Sequence, residues 1–159
     1  MQIRLATTED RPFLEEMLRE AATWRGNNDA GDVLGDPHIA LYIADWGREG
    51  DGGVLAEDEG GDPVGAAWFR LFDAEEHGFG FIGQDVPELT VGVRSDARGQ
   101  GFGTALLTAL IREARTAGSG AISLSVEEDN PAIRLYKRLG FMPVGRVGNA
   151  LTMRLDLRS

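Results

Sequence analysis

A glycine-rich segment at residues 98–104 carries the residue types that bind phosphate groups. It lies between a predicted strand and a predicted long helix, where unpaired backbone N–H groups and the helix dipole attract anions. Gly99, Gly101 and Gly103 have no Cβ atom to keep a ligand away from the backbone. Arg98 can add a charge-assisted hydrogen bond to a phosphate oxygen. The segment therefore predicts a binding site for a diphosphate.

Two familiar nucleotide-binding motifs do not fit this segment. A Walker loop needs Gly-Lys followed by Ser or Thr, whereas Gly103 is followed directly by Thr104. The dinucleotide fingerprint needs G-x-G-x-x-G, but the glycines here are spaced G-x-G-x-G. Taken alone, the segment leaves open a simpler interpretation, namely a flexible glycine turn before a helix.

The segments around this site alternate between the two-residue apolar period of strands and the longer apolar period of helices. Helix patterns begin near residues 7–9, 101 and 130, and a less regular one carries residues 39–43. Polar, glycine-containing loops are predicted at residues 24–37 and 73–85. Strand patterns cover residues 3–5, 54–57, 64–72, 89–93, 122–126, 141–147 and 151–157. Helices between strands, with hairpins near both ends, predict one α/β domain with a mixed sheet.

Two separate motifs carry a resemblance to a known family. Residues 98–103, Arg-Gly-Gln-Gly-Phe-Gly, resemble the R/Q-x-x-G-x-G/A signature of the GNAT superfamily of N-acetyltransferases. Residues 130–132, 135–136 and 139–141 resemble its downstream N-x-A, LY and LGF pattern, in the same order and at a similar separation. The resemblance covers about residues 87–145.

The resemblance implies a GNAT-like fold in which about four helices flank a mostly antiparallel sheet of six to seven strands. The sheet would splay into an acyl-CoA cleft, with residues 1–86 on the acceptor side and 87–159 on the acyl-CoA side. Acetyl-CoA would be the co-substrate, and no metal is expected. Cofactor contacts are implied for Val91, Gly92, Val93, Arg98, Gly99, Gln100, Gly101, Phe102, Gly103, Thr104 and Asn130. For Asn130, an ordinary helix N-cap is the alternative that stays open.

Acetyl transfer to an amine needs a neutral nucleophile and a proton for the leaving thiolate. The resemblance implies Tyr136 as the general acid and Glu88 as the base, with oxyanion contact from the strand backbone near Val91. Tyr136 could instead be a packed helix residue, and the role of Glu88 stays open. Some relatives place the glutamate on the following strand, where this sequence has Ser125.

The charge distribution bears on the acceptor. The formal net charge of −10 argues against nucleic-acid binding. Residues 1–86 carry 6 basic and 19 acidic side chains, a net charge of −13, whereas residues 87–159 carry 10 basic and 7 acidic, a net charge of +3. An acidic excess often serves solubility alone, but it also favours a cationic acceptor. We expect a small-molecule or peptide amine that carries positive charge. No segment approaches a membrane span or a secretory signal, so a cytoplasmic protein is expected.

Two functions are compatible with these features. The first is an acetyl-CoA-dependent N-acetyltransferase that acts by direct attack in a ternary complex. The second is a catalytically silent acyl-CoA-binding sensor or assembly module, which would need the Arg98 segment but neither Tyr136 nor Glu88. The identity of the acceptor, the length of the acyl group and the assembly state, including a homodimer, stay open.

Overall fold

The computed structural model describes residues 1–24 and 32–158, so the predicted loop at residues 24–37 lies partly outside the described residues. The described strands are β1 (Gln2–Leu5), β2 (Gly52–Glu57), β3 (Pro63–Arg70), β4 (Glu88–Val93), β5 (Ala121–Glu127), β6 (Met142–Val147) and β7 (Ala150–Asp156). The described helices are α1 (Arg11–Ala22), α2 (Pro37–Ala40), α3 (Phe102–Thr116) and α4 (Ile133–Arg138), and short 3-10 turns lie at Thr8–Asp10, Val33–Gly35 and Ser95–Ala97.

The seven described strands form one sheet in the order β1-β2-β3-β4-β5-β7-β6. Strands β4 and β5 pair in parallel, and the other neighbouring strands pair antiparallel. The predicted mixed, mostly antiparallel sheet of six to seven strands with about four helices is confirmed. The predicted final hairpin is also present, and its turn contains Gly148 in a left-handed conformation, with φ of 59°.

The two faces of the sheet carry different parts of the core. Along β3, Ala67 and Phe69 belong to the apolar cluster under α3, whereas Ala66 and Trp68 belong to the cluster that includes α1. This alternation follows from the two-residue period of a strand. The fully buried leucines of α3 are Leu106, Leu107 and Leu110. Burying each such side chain contributes about 1.5–3 kcal/mol, which fixes α3 on the sheet.

Two helices differ from their predicted extents. Helix α2 ends at Ala40, before the predicted Ile43, and turns follow up to Gly47. Helix α4 begins at Ile133, because Asn130 first holds a separate turn in which its Oδ1 accepts a hydrogen bond from the N–H of Ala132 at 2.9 Å. Among the described residues, no helix has the length and apolar character needed to span a membrane.

Strands β4 and β5 are joined at one end only. Their ladder consists of the pair Glu88 and Ser123, and the N–H of Ser123 donates to the carbonyl of Pro87 at 3.0 Å. Beyond this pair the strands diverge, although each remains paired on its other side with β3 or β7. The sheet therefore opens into a cleft along β4.

Candidate active site

The cleft between β4 and β5 contains a cavity of about 1040 Å³. It is lined by every residue predicted for the site except Gln100. Strand β4 runs along the cavity from Glu88 to Val93, a span of about 17 Å at the usual rise per residue. The predicted catalytic residues and the predicted phosphate segment thus share one cavity, although they are far apart in the sequence.

Within the part of the chain that the structure describes, the phosphate segment has a continuous row of backbone donors without an acceptor. The N–H groups of residues 98–104 donate to no other described residue, whereas those of Ala97 and Ala105 on either side donate to Arg94 and Gly101 carbonyls. Gly101, the residue before α3, has φ of 88°, and Gly99 has φ of 77°. A side chain would strain both positions. These amides at the start of a 15-residue helix suit an anion such as a diphosphate.

Arg98 is held at the rim of the cavity by two contacts. Its Nη2 lies 3.1 Å from Oε2 of Glu20 on α1, and its Nε lies 3.4 Å from the carbonyl of Val93. The Arg98 side chain is about half exposed. The sequence offered no sign of the Glu20 contact, because the two residues are 78 positions apart. Any phosphate bound by Arg98 would therefore compete with a carboxylate.

The predicted strand residues differ in which way their backbones face. Because the carbonyl of Pro87 points to β5, the period of two makes Val91 and Val93 point to β5 as well. These two residues have no ladder partner on β5, so their peptide groups face the cleft. The N–H of Arg94 donates to the carbonyl of Val64 on β3, so by the same period the peptide groups of Gly92 face β3. A Cβ atom on Gly92 would lie 2.3 Å from the carbonyl oxygen of Met17, so Gly92 lets α1 approach the sheet.

Glu88 is a buried carboxylate, 2% exposed, at the closed end of the cleft. Its Oε2 accepts hydrogen bonds from the Tyr42 hydroxyl and, at 3.0 Å, from the N–H of Gly80. Its Oε1 is buried and has no hydrogen-bond partner among the described residues. Burial raises the pKa of Glu88 from 4.5 to about 7, although the bonds from Tyr42 and Gly80 oppose that rise. Glu88 can therefore change protonation near neutral pH.

Tyr136 lies on α4 and is 7% exposed. Its ring packs edge-on against Phe141, with the ring centres 5.9 Å apart. Burial raises the pKa of Tyr136 to about 12, so its hydroxyl keeps its proton at neutral pH. No described residue forms a hydrogen bond with this hydroxyl, and Tyr136 lines the cavity. It can therefore donate a proton to a bound group.

Tyr42 is the main site residue that the sequence did not reveal. It is buried, bonds to Glu88, and accepts a hydrogen bond from the N–H of Phe79 at 2.9 Å. Burial and the nearby carboxylate raise the pKa of Tyr42. The sole available signal was that Tyr42 is one of two tyrosines. Within residues 1–24 and 32–158, no group of three His, Asp or Glu side chains could hold a metal ion.

Comparison with known proteins places this site in context. The family model described as "Acetyltransferase (GNAT) family" matches residues 12–141. A mycothiol acetyltransferase of Actinosynnema mirum is 38% identical over 83% of this chain and 41% of its own length. An L-methionine sulfoximine/L-methionine sulfone acetyltransferase of Pseudomonas aeruginosa is 38% identical over 69% of this chain and 63% of its own length. In three mycothiol acetyltransferases, the matched part spans 31% to 50% of the relative.

Solved structures share the fold over nearly the whole chain. A ribosomal-protein-alanine N-acetyltransferase from Brucella melitensis is 30% identical with a TM-score of 0.72, covering 98% of this chain and 99% of that one. A Salmonella typhimurium protein, described as a candidate acetyltransferase and solved with its cofactor acetyl-CoA, is 28% identical with a TM-score of 0.72. That match covers 99% of this chain and 94% of the other.

Proposed function

The chain belongs to the GNAT family of acetyltransferases, and we propose that it moves an acetyl group from acetyl-CoA to a primary amine within a ternary complex. Family membership confirms the resemblance carried by the two sequence motifs. One observation chiefly supports the proposed activity. A single cavity joins the free amides of residues 98–104 to a buried Glu88 and to Tyr136.

The residues of the cleft are suited to holding acetyl-CoA. The free N–H groups of residues 98–104 would bind the pyrophosphate, with Arg98 adding a charged contact. The peptide groups of Val91 and Val93 would bind the pantetheine arm as an added strand would be bound. The side chain of Asn130 already accepts a bond from Ala132, and Asn130 lines the cavity, so a cofactor contact and a turn-holding role are compatible. In this proposal residues 87–159 supply most of the acyl-CoA side, while Glu20 reaches it from α1.

Glu88 is proposed as the general base. A lysine-type amine is mostly protonated at pH 7, and making it neutral costs about 4.6 kcal/mol, against about 1 kcal/mol for an α-amine. A carboxylate with a pKa of about 7 is a stronger base than an ordinary glutamate, so it is better matched to removing the amine proton. The amine nitrogen forms a bond to the acetyl carbon, and its proton passes to Glu88.

Tyr136 is proposed as the general acid. As the bond between the acetyl carbon and the CoA sulfur breaks, the sulfur carries away the electron pair and takes the phenolic proton of Tyr136. Between these steps the acetyl oxygen carries negative charge, which a cleft-facing N–H near Val91 would stabilise. Exchange with solvent then returns the proton from Glu88 to Tyr136, so the products are the N-acetylated amine and free CoA.

The acceptor is proposed to be a small amine. Tyr42, Phe79 and Ile39 line the cavity together with Glu88, so the acceptor region combines apolar walls with a carboxylate. The similar acetyltransferases named for mycothiol and for methionine sulfoximine also indicate small acceptors. The net charge of −13 in residues 1–86 supports an acceptor that carries positive charge.

The test is an assay of free thiol release from acetyl-CoA against a panel of small amines, peptide N-termini and lysine peptides. The proposal requires thiol release that depends on one class of amine, and mass spectrometry should find the product 42 mass units heavier, as acetylation demands. Tight acetyl-CoA binding without thiol release across the panel would instead favour the silent sensor. Heat-treated protein and acetyl-CoA without amine provide the background rate.

A further inference from the structure

We infer that Tyr42 is a positioning residue for Glu88: its hydroxyl fixes Oε2 of the carboxylate and leaves Oε1 as the oxygen that takes up the amine proton. This inference rests on the proposed function for the role of Glu88. The hydroxyl of Tyr42 is well suited to this task, because it accepts a hydrogen bond from the N–H of Phe79 at 2.9 Å. Its own hydrogen is then available to Glu88.

The backbone around Tyr42 is tied down by β3. The indole Nε1 of Trp68 donates to the carbonyl of Tyr42 at 2.9 Å, and Nη1 of Arg70 donates to the carbonyl of Leu41 at 3.0 Å. Arg70 is itself held by Asp51 through two bonds of 2.9 and 2.8 Å, and both side chains are at most 2% exposed. The buried Arg70 also bonds to the carbonyl of Ala44, so it ties down the turn that follows α2. Tyr42 is therefore held independently of Glu88.

The second donor to Oε2 is anchored from the other side of the cleft. The carbonyl of Gly80 accepts a 2.7 Å hydrogen bond from Oγ of Ser123, the β5 residue that pairs with Glu88. A Cβ atom on Gly80 would lie 2.6 Å from the backbone carbon of Leu124, so Gly80 lies directly against β5. Gly78 packs equally closely, because a Cβ there would lie 2.5 Å from Oε1 of Glu88. The carboxylate is thus flanked by Tyr42 and by the segment that carries Gly78 and Gly80, and β5 holds that segment in place.

Removing the Tyr42 hydroxyl should change how readily Glu88 binds a proton. Tyr42→Phe keeps the ring, which packs edge-on against Phe72 with centres 5.7 Å apart. The charged carboxylate loses one donor, so its pKa should rise by about one unit. At pH 7 the deprotonated fraction of Glu88 then falls, and we expect kcat/KM for the amine to drop at least five-fold while KM for acetyl-CoA stays within two-fold.

The direct measurement is an NMR titration of the substrate-free protein labelled with carboxyl-¹³C glutamate. The Glu88 signal is the one missing from Glu88→Gln. We expect its midpoint to move upward in Tyr42→Phe and to stay unchanged in Phe72→Leu, which disturbs the same apolar cluster but removes no bond to the carboxylate. An unchanged midpoint in Tyr42→Phe, or an equal shift in Phe72→Leu, would overturn the inference.

A second variant covers the case in which Tyr42→Phe does not fold. The chain has two tyrosines, so expressing the Tyr136→Phe variant with 3-fluorotyrosine in place of tyrosine labels position 42 alone. Fluorination makes the phenol a stronger hydrogen-bond donor to the Glu88 carboxylate. The pH midpoint of the Glu88 titration should therefore be lower than in unlabelled Tyr136→Phe. No downward movement would contradict the inference.

These measurements separate the inference from the proposed activity. The titrations need no substrate, so they decide whether Tyr42 controls the proton affinity of Glu88 even if no amine in the panel is acetylated. If the Glu88 midpoint shifts as expected in the Tyr42 variants but no amine is acetylated, the proposed activity alone is overturned. Acetyl transfer with no titration response would overturn the role of Tyr42 alone.

Discussion

Glu88→Gln should abolish the pH dependence of acetyl transfer near neutrality. With a pKa of about 7 in the substrate-free protein, Glu88 is deprotonated in about 9% of molecules at pH 6 and about 91% at pH 8, so its contribution to kcat/KM for the amine should rise about ten-fold over this interval. A glutamate with its ordinary pKa of 4.5 would already be deprotonated at pH 6 and would produce no such rise. Loss of the base should lower kcat at pH 8 by about 10²–10⁴-fold.

Glu88→Gln should lower activity, but relative to the wild type it should become more stable as the pH rises. Glu88 binds its proton more tightly in the folded than in the unfolded protein, so its contribution to the free energy of unfolding is greatest below pH 4.5 and is lost as pH rises through about 7. A shift of this size corresponds to about 3 kcal/mol. Glutamine does not titrate. The free energy of unfolding of Glu88→Gln minus that of the wild type should therefore increase by about 3 kcal/mol from pH 4.5 to pH 8. Any constant cost of the new amide group cancels in this difference.

The two effects are measured separately. Values of kcat/KM for the amine are determined from pH 5.5 to 9 with two acceptors whose amines differ in pKa. The part of the pH profile that is due to Glu88 should stay in place, whereas the part that is due to the amine should move with its pKa. Urea unfolding at each pH gives the stability difference. The role of Glu88 is refuted if the change of activity near pH 7 persists in Glu88→Gln, or if the stability difference does not change with pH.

Three further substitutions test other parts of the site. Tyr136→Phe should lower kcat by at least ten-fold with little change in acetyl-CoA affinity, and an unchanged kcat in steady-state assays would remove Tyr136 as the required acid. Glu20→Gln removes the carboxylate that pairs with Arg98, so calorimetry at low salt should show acetyl-CoA binding about two- to five-fold tighter. This gain in affinity should shrink in high salt, and equal affinity of the variant and the wild type would contradict the competition. Gly92→Ala places a Cβ against the carbonyl of Met17, so the free energy of unfolding should fall by about 1–3 kcal/mol, and an unaltered denaturation midpoint would contradict that close approach.

Most of the fold could be predicted because its signals are local. Alternating apolar residues marked the strands, and the apolar spacing of α1 and α3 marked the long helices. The short helices α2 and α4 were predicted less well. After α2 the helix-like pattern of residues 39–43 gives way to turns, in which the buried Arg70 takes the carbonyl of Leu41. Such a contact from a distant strand leaves no local periodicity to detect.

In the candidate site, too, some features follow from local sequence and others from contacts between distant residues. The phosphate segment and the Asn130 to Phe141 motif are short stretches in which backbone conformation and residue type act together, so the sequence alone determined the family and the kind of cofactor cleft. The tertiary structure alone decided how Glu88 is held, since Tyr42 and Glu88 are 46 residues apart and meet only after the sheet has formed. It also decided the proton affinity of Glu88, because burial, which raises the pKa, is a property of the surrounding fold and not of the residue.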